Sequence, residues 1–106
     1  MSFKELQQSV ARDDAPPAGS SLALQALWHD RRGNWEAAHS AVQQNEQDRE
    51  CAWVHAYLHR KEGDIGNAGY WYSRAGRTLP AKGVTLDAEW NDIARELVAL
   101  AAKKAR

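Results

Sequence analysis

The chain has a single cysteine, Cys51, so no disulfide can form within it and a reducing compartment, the cytoplasm, is the expected setting. It has no net charge: 14 basic residues stand against 14 acidic ones, which leaves no field to favour nucleic acid or an anionic membrane. It has no long hydrophobic run, and its apolar stretches fall far short of the roughly 20 residues that a membrane span needs. Met1 to Val10 carries charges and polar Gln and Ser residues, unlike the apolar stretch of a secretory signal. A Gly-rich phosphate loop is missing, and Ser73 lacks a nucleophile-elbow context, so nothing supports nucleophilic catalysis. A chain of 106 residues then suits one domain around one core.

What the chain does have is an internal echo. The stretch from Leu22 to Ala38 aligns with Ala52 to Ala68 at a period of thirty. Ala26 matches Ala56, His29 matches His59, Gly33 matches Gly63 and Ala38 matches Ala68. Such a period marks stacked helical hairpins. Five Trp and three Tyr add large apolar area, which serves cores first and interfaces second.

Local signals divide the chain into about five helices. Phe3, Leu6 and Val10 form a thin stripe on a first helix or arm, ended by a Pro-rich linker, so that residues 1–19 precede a single domain over 20–106. Ser20 or Ser21 caps the next helix and Gly33 closes it, because glycine takes the left-handed conformation without a Cβ clash. Asn34 caps the partner helix, and the short turn makes the two antiparallel. Asp48, Gly63 and Asp64 repeat the design, which gives hairpins over about 20–45 and 48–76. Leu86, Trp90, Ile93, Leu97 and Leu100 then mark an amphipathic helix over about 85–104, expected to cap the open end of the stack. Lys103, Lys104 and Arg106 suit the negative end of its dipole.

The hairpin pattern resembles the tetratricopeptide repeat. It has a small residue midway along the first helix, Gly plus a polar cap at the turn, a bulky apolar residue next and an alanine three further on. Tyr72, Ala75 and Pro80 continue the pattern in the second copy. The segment Trp53-Val54-His55-Ala56-Tyr57-Leu58-His59-Arg60, continuing to Gly63-Asp64, Asn67-Ala68 and Tyr70 to Gly76, is also similar to a small bacterial family with no assigned function. The resemblance implies an all-α array of antiparallel hairpins that binds a protein or peptide. The period is thirty rather than thirty-four, and the carboxylate-clamp residues of peptide-binding members are absent, so that particular activity is not implied.

Two candidate sites lie on the second copy. Trp53, Tyr57, Arg60, Lys61, Tyr70, Trp71 and Arg74 mix aromatics with cations, which suits an anionic or peptide partner through stacking and charge-assisted hydrogen bonds. Cys51, His55, His59 and Glu62 recur at steps of four, four and three along one helix. His55 and His59, with Asn67 and Tyr72 beside them, form an alternative polar site for a small molecule or metal. Two histidines four apart can share a metal, with help from His29 or His39 across the hairpin. Ala56 stands where a metalloprotease needs glutamate, so that chemistry is not supported. Burial in a structural network, hydrogen-bonded to Asn67, Tyr72 or a carbonyl, is the expected role, with no cofactor and no metal. The sequence therefore predicts a small interaction module rather than an enzyme, with a protein or peptide partner or a second copy of itself.

Overall fold

Six helices make up the described residues, 1–104, of the computed structural model: α1 (Phe3–Arg12), α2 (Leu22–Arg31), α3 (Trp35–Gln43), α4 (Arg49–Lys61), α5 (Ile65–Ala75) and α6 (Leu86–Lys104). Arg106 of the basic C-terminal run lies outside the described residues. The caps follow the sequence closely. Ser21, Asn34, Asp48 and Asp64 each accept a backbone N–H from three residues on, at 3.0–3.2 Å. Gly33 and Gly63 end the first helix of each hairpin at φ +80° and +86°, and Asn34 and Asp64 donate their N–H to the carbonyls of His29 and His59 at 2.9 Å. The echo is thus a repeated turn, with the same residues stopping one helix and starting the next.

The repeated alanines explain how the helices pack. Ala26, Ala38, Ala56 and Ala68 are completely buried where α2 meets α3 and α4 meets α5. A larger side chain at these crossings would push the helix axes apart. Around them Leu24, Leu27, Val42, Val54, Leu58, Ile93 and Leu97 form one continuous core. Each contributes roughly 1.5–3 kcal/mol by leaving water. The two hairpins meet through α3 and α4.

The last helix departs from expectation. It lies across α2 and α4, the first helix of each hairpin, rather than over the outer end of the stack. Trp90, Ile93, Ala94 and Leu97 supply its buried stripe, and the Trp90 indole donates to the Leu27 carbonyl at 3.1 Å. Helix α1 is also drawn into the core. Leu6 is fully buried, Trp28 donates to Ser9 at 3.0 Å, and Arg32 binds the carbonyls of Val10 and Asp13 at 2.9 Å. The backbone of α5 approaches only α4 among the helices, so its outer side is uncovered.

Candidate functional site

Helix α6 covers the inner face on which a partner segment was expected. Tyr57 and Lys61 donate to the two oxygens of Asp30 at 3.1 and 2.8 Å, and that carboxylate is only 4% exposed. Arg60 reaches Glu89 at 2.9 Å and the Val84 carbonyl, while the Tyr72 hydroxyl donates to the second Glu89 oxygen. Trp53 packs beneath the Arg77 guanidinium at 3.9 Å. Burial first, and the adjacent carboxylate second, push both tyrosine hydroxyls upward from their ordinary range. Trp53, Tyr57, Arg60 and Lys61 are therefore engaged within the chain, Tyr57 and Lys61 by α2, Arg60 by α6 and Trp53 by Arg77, and the seven-residue aromatic and cationic cluster divides in two. The sequence places Asp30 on this face without a partner and does not single out Glu89. The available signal was an acid beside Trp90 on an otherwise apolar stripe, since such a group is buried only with partners.

The other part of that cluster lies on α5. Arg74 donates to the Tyr70 hydroxyl at 3.1 Å, and its guanidinium lies 5.8 Å from the ring centres of both Tyr70 and Trp71. Tyr70 and Trp71 meet edge to face at 5.1 Å. Tyr70 is 53% exposed and Ile65, five residues earlier, 51%. At Gly66 and Gly69 an added Cβ would meet nothing within 4 Å, so neither glycine is needed for packing inside the chain.

The polar site His55, His59, Asn67 and Tyr72 also divides. Tyr72 points to Glu89, and Asn67 is exposed in the first turn of α5. The histidines instead meet His39, which α3 delivers from the neighbouring hairpin. His39 Nε2 and His55 Nε2 are 3.1 Å apart, and the His59 ring lies 4.9 Å from His55 and 5.3 Å from His39. Trp35 stacks on His39 at 4.7 Å and Trp71 on His55 at 4.0 Å. His59 Nδ1 donates to Glu62 at 2.6 Å. Each of the three histidines offers one nitrogen within 4.8 Å of the other two, so together they could hold an ion. His29, the other helper considered, lies instead beside Trp28.

No family model, curated protein or solved structure matches this chain. Its chemistry is therefore read from the residues themselves. Burial, followed by the charges of His39 and His59, holds the His55 imidazole down at about 4, so it is neutral at pH 7. His39 is lowered as well, first by burial and then by His59, against an opposing pull from Glu36, Glu62 and Glu46. Deep in α4, His55 Nδ1 is buried without a hydrogen-bond partner among the described residues, which costs roughly 1–3 kcal/mol. Burial and Asp48 push the Cys51 thiol up to about 12, which disfavours a nucleophilic thiolate.

Proposed function

We propose that this chain is a protein-interaction module whose docking surface is the outer side of α5. The observation that carries this reading is the fate of one repeated position. Trp35 opens the second helix of the first hairpin, is half-buried against α4 and donates to the Leu58 carbonyl at 3.0 Å. Its counterpart thirty residues on, Ile65, is exposed because no helix follows α5 in the stack. The inner hairpin junction is thus complete, and its equivalent on α5 is open.

Chemistry supports the same side. Tyr and Arg are enriched among residues that dominate binding energy, and Tyr70 and Arg74 stand exposed together. Bare backbone at Gly66 and Gly69 lets a partner helix approach closely, at the cost of helix stability in the free chain. The partner that fits is a helical segment with an apolar stripe facing Tyr70 and the bare backbone at Gly66 and Gly69, and a carboxylate for Arg74. A second copy of the chain is tested first, by light scattering at several concentrations. Capture from a cell lysate should then give prey that Tyr70→Glu loses and the distant surface change Lys82→Glu retains. Identical prey for all three proteins, with a concentration-independent monomer mass, would overturn the reading.

A further inference from the structure

We infer that His39, His55 and His59 form a binding site for one borderline divalent metal ion of the zinc class, with Glu62 orienting His59. Distance is the first support. The 3.1 Å between His39 Nε2 and His55 Nε2 is close to the separation of about 3.3 Å expected for two imidazole nitrogens on one tetrahedral zinc. The third ring is already in contact with both. Small side-chain rotations bring three nitrogens onto one point.

Hydrogen bonding supplies the second support. Glu62 takes His59 Nδ1 as its partner at 2.6 Å, which leaves Nε2 as the nitrogen of that ring available to an ion. A ligand histidine held through its far nitrogen by a carboxylate is the recurrent outer shell of protein metal sites. The chain also does not close the hydrogen bonding of the cluster itself, since His55 Nδ1 is buried and unpartnered among the described residues. The Trp35 and Trp71 indoles lie nearly parallel to the His39 and His55 rings, at 13° and 18°, and wall the cluster on two sides.

The donor set selects the ion. Three imidazoles without a thiolate suit zinc, cobalt(II), nickel(II) or copper(II), whereas calcium and magnesium require oxygen ligands. Cys51, one turn before His55, is too far along α4 to join a site that includes His59. Glu36, Glu46 and Glu62 face His39 and offset the ion's charge. Three protein ligands leave a fourth position for water. Because His39 comes from α3 and the other two from α4, the ion would join the two hairpins.

The test uses the full chain without an oligohistidine tag, stripped with a chelator. Calorimetric titration with zinc chloride should show one ion per chain, and cobalt(II) should give the intense visible bands of a tetrahedral site. His39→Ala, at the half-buried rim, should weaken zinc binding roughly 100-fold, and the exposed Glu62→Gln roughly tenfold. Circular dichroism checks that both variants keep their helices, and Glu62→Gln serves if His39→Ala does not fold. Absence of zinc uptake by the wild-type chain at millimolar metal would overturn the assignment. Uptake undiminished in both folded variants would do the same, because the ion would then sit elsewhere.

Discussion

The two hairpins are built from one pattern, yet corresponding positions meet opposite fates. Trp35 and Ile65 correspond, as do His39 and Gly69. In the first hairpin both positions face α4, and they are filled by an indole that caps a carbonyl and an imidazole in a three-ring cluster. In the second hairpin both face away from the rest of the chain and carry an exposed isoleucine and a glycine. Residue choice in this chain thus follows what lies beyond each helix, while the turns themselves are conserved between copies. Small residues where the copies pack internally, and varied residues where they pack externally, are what a stacked array demands.

The largest expected effect tests the inner face. Glu89→Ala strips Arg60 and Tyr72 of their shared buried acceptor and should cost about 3–5 kcal/mol in urea unfolding. A loss below about 1 kcal/mol would mean that α6 is held by its apolar stripe alone.

Acid should separate the hairpins next. In metal-free protein the unfolded His55 takes up a proton below about pH 6.5, but the folded residue resists until about 4. Its contribution is therefore fully present above pH 6.5 and is lost as pH falls across that window, by up to about 3 kcal/mol. His55→Gln places in α4 the residue that the first copy carries at this position, Gln25, and should flatten that part of the stability profile. An unchanged pH slope in the variant would remove the cluster as its source.

Counterpart truncations sharpen the contrast further. Trp35→Ala should cost about 2–3 kcal/mol through lost area and a lost hydrogen bond, while Ile65→Ala should cost under about 0.5 kcal/mol. Equal losses would contradict the open end on α5. The smallest effect has the opposite sign. Gly69→Ala should stabilise the free chain by roughly 0.5–1 kcal/mol, since its Cβ enters open space in a helical backbone. Thermal unfolding measures the gain, and the proposed docking should weaken in the same variant.

Much of the fold was legible because its determinants are local. Gly33-Asn34 and Gly63-Asp64 encode helix, stop and cap within a few residues, and the structure realises both turns as read. The position of α6 was not legible. The spacing of Trp90, Ile93 and Leu97 shows that one side must be buried but not which surface buries it. The acids settle that question, because Asp87 and Glu89 find Arg31 and Arg60 on the inner face. The histidine cluster was half legible: the four-residue step aligned His55 with His59, whereas His39 entered only as one of two possible helpers. Its arrival depends on α3 and α4 packing side by side across a hairpin boundary, a fact of the array rather than of either helix.

The segment joining α5 to α6, residues 76–85, has a consequence for competition. A short covalent connection presents the helix it carries at an effective concentration of about millimolar. The inner face is thus permanently supplied with α6, and a free helix of equal intrinsic affinity at micromolar concentration is at a disadvantage of about a thousandfold. Occupation of the inner face by the chain's own sequence leaves the outer side of α5 as the uncovered helix surface among the described residues.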